Sequence, residues 1–202
     1  MSLGLHRAWK SALVDRLRPR PGELHLDVAG GTGDIARRVL AASGGKARVV
    51  IADINATMLQ AGDRTDGIAR AAGDGETLPF AERSFDSVSV AFGLRNMTHI
   101  DRALAEAYRV LKPGGRFFCL EFSRVEAPLI DALYDSYSRR VIPRLGALVA
   151  RDRAAYDYLV ESIRRFPPQA ELARLLRAAG FARVAVQNLS FGIVALHSGW
   201  RI

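Results

Sequence analysis

Four carboxylates and one glycine-rich turn are the residues of this chain best suited to chemistry. Asp27 and Asp34 flank Gly30-Gly31-Thr32-Gly33, Asp53 follows twenty residues after Gly33, and Asp74 lies at the end of the next short apolar segment. A strand, a glycine-rich turn, a helix and a second strand ending in an acid is how a βαβ unit holds an adenosine-bearing cofactor. The glycines lack a Cβ, so the backbone can turn sharply and approach a ligand closely. Asp53 is then placed to accept both ribose hydroxyls, with Ile54 and Met58 beside it, and Asp74 to meet the adenine amino group. The Leu78-Pro79-Phe80 loop is expected to cover the ring. Each acid also has a plainer reading: Asp34 as a first-turn carboxylate favouring its own helix, Asp53 as the cap of the helix that follows.

The acids discriminate between cofactors. Dinucleotide sites put a pyrophosphate at the helix N-terminus, where free amides and the helix dipole favour an anion. A carboxylate on each side of that turn competes poorly with a doubly charged pyrophosphate. It suits a ligand with a cationic amine and a sulfonium, such as S-adenosylmethionine. Ala36 also stands where the third dinucleotide glycine would be.

These residues need a scaffold, and hydrophobic periodicity supplies one. Residues 5–18 read as an amphipathic helix with Leu5, Trp9, Leu13 and Leu17 on one face, stopped by Pro19-Arg20-Pro21-Gly22. Strands are predicted at 24–29, 47–53, 68–72, 84–92, 116–122, 182–189 and 192–199. Helices are predicted at 33–42, 56–66, from a Thr98/Asp101 cap to Leu111, across 128–164 with breaks at Pro143 and Gly146, and at 169–179. Alternating strands and helices imply an α/β, doubly wound, mostly parallel seven-stranded sheet. Too few residues separate the last two strands for a crossover, so they close as a C-terminal antiparallel hairpin. The chain reads as one domain over 1–202, with an N-terminal helix in 1–22 and a helical cover in 128–166 on the substrate side.

Composition excludes several classes. At 202 residues and 49% hydrophobic content, the chain can bury a proper core. No apolar run approaches the roughly 18 residues of a membrane span, and the start lacks the apolar stretch of a signal peptide. Cys119 is the single cysteine, and no His/Cys cluster supports a metal site. Together these features imply a cytoplasmic protein. The net charge of +8 is arginine-rich and dispersed: residues 124–165 carry eight arginines against six acids. That pattern forms no single-sign stripe, which argues against nucleic acid and leaves a solvated surface or contact with an anionic membrane.

Longer blocks carry a family resemblance. Residues 26–34, Asp53-Ile54-Asn55, Leu78-Pro79-Phe80 and Ser84-Phe85-Asp86 look like class I methyltransferases in general. Residues 91–96, 108–116, 120–123, 158–164, 179–181 and 188–199 are narrower, and resemble the ubiquinone/menaquinone biosynthesis C-methyltransferases (the UbiE-type enzymes). The resemblance covers essentially the whole chain. It implies methyl transfer from S-adenosylmethionine, leaving S-adenosylhomocysteine, to a ring carbon of a prenylated benzoquinol or naphthoquinol. By position the cofactor contacts fall on Thr32, Asp53, Asp74-Gly75 and Ala91, completing a set with Asp27, Gly30, Gly31, Gly33, Ile54 and Met58. By the resemblance, the chain starts where the family's helix before the first strand begins, so a leading segment of about forty residues that helps to cover the site is expected to be missing, a first departure. Two further departures are Gly75, where a side chain is usual, and Phe191, where glycine is usual. Phe191 is expected to narrow a pocket or to pack.

The implied chemistry points to an acceptor group. A phenol with pKa near 10 is only ~0.1% ionised at pH 7, a deficit worth ~4 kcal/mol. A nearby cation can lower that pKa by about 1–3 units. Arg95 is the candidate for this role and Asn96 for orienting the hydroxyl or a water; the competing reading pairs Arg95 with a structural carboxylate. His25 reads as a satisfied core residue, His99 as exposed, and His6 as a candidate beside the cofactor. Residues 128–150 combine apolar and arginine positions, as a surface that receives the isoprenoid tail or lies against the inner membrane would, and as an ordinary cover helix would. The partners expected are the prenylated quinol, a peripheral membrane or quinone-biosynthetic complex contact, and a second copy in a homodimer. Two alternatives stand beside this reading: a methyltransferase for another small or lipid acceptor, and a non-catalytic cofactor-binding partner.

Overall fold

The computed structural model describes residues 2–63, 67–123 and 153–202. The sheet has seven strands: β1 (Leu24–Val28), β2 (Arg48–Asp53), β3 (Ala69–Ala72), β4 (Phe85–Ala91), β5 (Leu111–Phe122), β6 (Ala182–Leu189) and β7 (Val194–Trp200). Their order is β3-β2-β1-β4-β5-β7-β6, with β7 antiparallel to both neighbours and the others parallel. Strand order therefore reverses between β1 and β4. Such a switch point opens a crevice at the carboxyl ends of the strands, where ligands of open α/β sheets bind.

Both sheet faces are covered, which explains why the central strands are apolar on consecutive residues. Phe117 and Cys119 face a core with Leu26, Val28, Val88 and Val90, closed by α4 (Ile100–Val110) and α6 (Gln169–Ala178). Phe118 and Leu120 face the other core with Val49 and Ile51, closed by α1 (Ser2–Leu17) and α2 (Asp34–Ala42). Trp9, Leu13 and Leu17 are buried on α1, while Leu5 at its start is 40% exposed. Two further helices are α3 (Ala56–Ala61) and α5 (Arg153–Arg165).

Several boundaries differ from expectation, each for a local reason. The predicted 56–66 helix stops at Ala61, because Gly62 is extended and passes so close to the glycine turn that a Cβ there would lie 2.9 Å from the Thr32 carbonyl. The helix expected from a Thr98 cap starts at Ile100 without a side-chain cap. Glu76 Oε1 accepts the Thr98 and His99 N–H groups instead, at 2.6 and 3.0 Å. Strand β5 begins at Leu111 rather than 116, since Leu111 pairs with Phe85 and the Gly114–Gly115 backbone exchanges bonds with Arg201. Of the predicted 128–166 cover, residues 128–152 lie outside the described residues.

Phe191 neither narrows a pocket nor packs. It is 88% exposed in the turn between β6 and β7, with φ 58° and ψ 27°, a left-handed conformation that favours glycine. Holding a side chain there costs roughly 1–2 kcal/mol, against ~0.5–1 kcal/mol of extra glycine entropy. Phe191→Gly is therefore expected to raise the melting temperature by about 2–4 °C in a thermal scan. A lower melting temperature would show that the ring contributes packing.

Candidate active site

The turn after β1 follows from its glycines. Gly31 and Gly33 have φ of +54° and +88°, and Gly33 caps α2 in the left-handed region. Gly30 is required by proximity: a Cβ would lie 2.7 Å from Asp27 Oδ2 and 2.9 Å from Ile51 Cγ2. The Gly31 N–H donates to Asp53 Oδ2 at 2.8 Å, and the Asn55 N–H donates to Asp53 Oδ1 at 2.8 Å. Asp53 thus ties the turn to the end of β2, while Asn55 caps α3 by accepting from the Met58 N–H. Ile54 is 73% and Met58 43% exposed, an apolar pair beside that carboxylate.

Asp27 lies beneath the turn, 1% exposed. Ser89 donates to its Oδ1 at 2.8 Å, while Oδ2 is buried without a partner. Burial pushes this carboxyl up to about 7, with hydrogen bonds from Ser89 and the Ala36 N–H opposing it. The network continues to His25, whose ring nitrogens lie 2.8 and 3.0 Å from the Ser87 and Ser89 hydroxyls. Ser89 spends its proton on Asp27, so His25 Nε2 must donate to Ser89 and Nδ1 must accept from Ser87. Burial lowers this imidazole to about 3 and keeps it neutral. His25 is the satisfied core residue expected of it. Asp27 has no surface contact of its own, and the glycine turn lies between it and the crevice.

Asp34 takes the plainer of its two readings. It accepts from Lys10 Nζ at 2.8 Å and Arg38 Nε at 2.9 Å, clamping α1 to α2. Although partial burial raises its pKa, those bonds hold it below the usual carboxylate range. Its charge is neutralised locally, so it adds nothing to the case for a cationic ligand.

The neighbouring strand ends complete the rim. Asp74 is exposed, with Oδ1 accepting the Glu76 N–H at 2.9 Å. A Cβ on Gly75 would lie 2.6 Å from Met97 Cε, so Met97 fills the volume that a side chain at 75 would take. In the Leu78-Pro79-Phe80 loop only Pro79 is exposed. Leu78 is buried, Phe80 stacks on Phe85 at 5.1 Å, and Arg109 holds both carbonyls. Ile54 and Met58 remain exposed apolar residues on this rim.

After β4, Ala91 and Phe92 lead into a short 3-10 turn, Leu94–Asn96. Arg95 Nη1 donates to both Glu121 carboxylate oxygens at 3.0 Å, and the pair is 12% and 1% exposed. The Phe122 N–H adds a bond to Glu121 at 3.0 Å. Burial raises the Glu121 pKa while the guanidinium opposes it. Arg95 is therefore paired with a carboxylate, the competing reading above, although its position at the crevice is as expected. Asn96 Oδ1 accepts from the Tyr158 hydroxyl at 3.2 Å, bringing α5 to the same rim. Sequence reasoning gave Glu121 no role; an acid ending an apolar strand, opposite an arginine after the adjacent strand, was the available signal.

Over this pair stands an aromatic group. His6 and Trp9 of α1 meet Phe92 and Phe122 with ring centroids 5.0–6.2 Å apart, and Arg95 lies 5.5 Å from the Phe122 ring. The other two histidines lie apart. His99 is exposed at the start of α4, and His197 is buried against the Gln169 carbonyl. Among the described residues no group of His, Cys, Asp and Glu could hold a metal ion, and no helix is long and apolar enough to cross a membrane.

Comparison with known proteins places this geometry. A model of the ubiE/COQ5 methyltransferase family matches residues 1–201. The Methylobacterium nodulans protein named ubiquinone/menaquinone biosynthesis C-methyltransferase UbiE is 59% identical, over all of this chain and 83% of its own length. The Brucella abortus protein of the same name is 53% identical, over all of this chain and 78% of its own. Among solved structures, one similar fold is the complex of the Haloferax volcanii Trm112 methyltransferase activator with a putative methyltransferase. It has a TM-score of 0.72 at 20% identity, covering 96% of this chain and 90% of that one. Another is phosphoethanolamine N-methyltransferase 2 of Haemonchus contortus with S-adenosyl-L-methionine, at TM-score 0.71 and 15% identity, covering 95% and 52%.

The buried ion pair yields a stability prediction. Arg95→Ala leaves the Glu121 charge without its partner, expected to cost about 3–5 kcal/mol in urea denaturation. Arg95→Met with Glu121→Leu should cost less than Arg95→Ala alone, because no charge is then stranded. Strictly additive costs for the two sites would contradict the pairing.

Proposed function

The chain belongs to the ubiE/COQ5 methyltransferase family, and from that membership we infer that it methylates a ring carbon of a prenylated benzoquinol or naphthoquinol, with S-adenosylmethionine as donor. The observation that carries this reading is 53–59% identity, over the whole chain, to proteins named for ubiquinone/menaquinone biosynthesis C-methylation. The crevice suits such a donor. Gly30 leaves no room for a side chain between Asp27 and Ile51, Asp27 keeps one buried oxygen without a partner, and Ile54 and Met58 offer an apolar flank. When bound, S-adenosylmethionine supplies an electrophilic methyl group on a sulfonium.

Each residue then has a role set by its position. Asp53, already oriented by two N–H donors, takes the ribose hydroxyls on its remaining lone pairs. Thr32 and the glycine backbone of residues 30–33 face the amino-acid end, and Asp27 favours its cationic amine through the turn. Asp74 and Gly75 border the adenine, and Ala91 walls the crevice floor. Arg95 acts on the acceptor as a partly neutralised group, so its aid to a phenolate is smaller than a free guanidinium would give. Asn96 keeps its amide N–H groups free to donate to the acceptor oxygen, since Tyr158 engages its Oδ1. An isoprenoid tail makes a bilayer the natural source of the acceptor, and contact with the membrane periphery is part of this reading.

The reaction requires a ring hydroxyl, which supplies a test. Purified protein with S-adenosylmethionine and a demethylated quinol kept reduced should form S-adenosylhomocysteine and a product one methyl heavier. The oxidised quinone, which has no hydroxyl to ionise, should give neither. Equal turnover of both forms, or none of the quinol, would contradict the assignment.

A further inference from the structure

Among the described residues, His6 is an ionisable group near the crevice that neither the ion pairs nor the cofactor seat employs. It lies on the first turns of α1, where that helix reaches the carboxyl edge of the sheet. Its imidazole is half-buried, 5.1 Å from both the Trp9 and Phe92 rings and 6.1 Å from the Phe122 ring. Among the described residues its contacts are ring contacts alone, so both nitrogens lack a hydrogen-bond partner. His25 and His197, by contrast, are tied to hydroxyls and a carbonyl in the core. Phe92 directly follows Ala91 and Phe122 directly follows Glu121, so the imidazole lies against the residues next to the end of β4 and next to the Arg95–Glu121 pair.

We propose that His6 is the base that takes the proton of the acceptor's ring hydroxyl. The proposal rests on the function inferred above and names a residue for a step that reading leaves unassigned. Proton and electron accounting is simple. The hydroxyl proton goes to the free imidazole nitrogen, and the phenolate pair is delocalised to the ortho carbon. That carbon forms the new bond to the methyl as the carbon–sulfur bond breaks, its pair remaining on sulfur. The ring hydrogen then leaves as a proton, restoring aromaticity, and the oxygen regains a proton. One proton is released per methyl transferred.

The surroundings suit a neutral base. Among the described residues, Lys10 on its own helix and Arg95 after β4 are the charged groups that act on it, with Glu121 of β5 paired to Arg95. Burial first, then Lys10 and Arg95, lower the imidazole pKa from its usual 6.5. The shift favours the neutral ring. A base with pKa near or just below the working pH is the efficient choice for general-base catalysis.

Two variants separate chemistry from packing. His6→Phe preserves a ring against Trp9, Phe92 and Phe122 but has no nitrogen. It should melt with the wild type and bind S-adenosylhomocysteine normally by calorimetry, yet lose roughly 10²-fold or more in kcat on a reduced demethylquinol. The acidic limb of the kcat–pH profile, which rises through the His6 pKa below 6.5, should vanish with it. His6→Ala should be as slow and should regain activity with free imidazole. By NMR, the His6 ring proton of the free protein should titrate below 6.5. Wild-type kcat in His6→Phe, failure of imidazole to rescue His6→Ala, or titration at or above 6.5 would each overturn the proposal. A wild-type protein that binds S-adenosylhomocysteine but never methylates the quinol would overturn the function reading itself, and this one with it.

Discussion

The hydrogen bond from the Gly31 N–H to Asp53 Oδ2, beside a longer one from the Gly30 N–H to the Ala52 carbonyl, joins the glycine turn to the end of β2. It spans from the end of β1 to the end of β2, strands that run in parallel register from Leu24/Arg48 to Val28/Ala52. That register brings the glycine turn level with Asp53. The bond then sets both the path of the turn and the orientation of the carboxylate. Gly30 and Gly33 serve the same end, since a side chain at either would collide with Ile51. Loss of the bond would loosen the turn, which the Gly30 N–H still ties to β2, and leave the carboxylate held by the Asn55 N–H.

Around that seat the charges are arranged in pairs, and the pairs define what remains for chemistry. Asp34 is used to hold α1 and α2 together, and Glu121 is used to hold Arg95 at the end of β4. Asp27 is the exception, a sealed carboxyl with one unpartnered oxygen and a pKa pushed by burial toward neutrality. Buried charge is costly unless paired, so an uncompensated carboxyl beneath a ligand-facing turn suits a ligand that brings a positive charge. The aromatic group of His6, Trp9, Phe92 and Phe122 lines the same edge with apolar surface, and a less polar surrounding strengthens electrostatic interactions beside it.

The sheet was legible in the amino-acid sequence because its strands are short apolar runs ending in acids or glycines, and that pattern has few alternatives. Its crossover helices were legible at their centres and not at their ends. Ala61 ends α3 because Gly62 must pass the Thr32 carbonyl, and Glu76 serves α4 from a distant loop; neither contact has a local signature. The site divided in the same way. Asp53 and the glycines follow from spacing along one βαβ unit. The partners of Asp34 and Arg95 come from α1 and β5, distant in sequence, so residue type alone left two readings for each. Phe80 carried an apolar signal that suited a lid as well as a core, and only its packing against Phe85 decides for the core.

The central claim is that Asp53, and not Asp34, meets the nucleoside, and calorimetric titration with S-adenosylhomocysteine tests it directly. Charge-assisted hydrogen bonds to a carboxylate are worth about 1.5–3 kcal/mol, or roughly 10- to 100-fold in affinity. Asp53→Asn should weaken binding by that factor. Asp34→Asn, although it loosens the clamp between α1 and α2, should leave the dissociation constant within about twofold of wild type. An Asp34→Asn variant that loses affinity while Asp53→Asn binds normally would contradict the account.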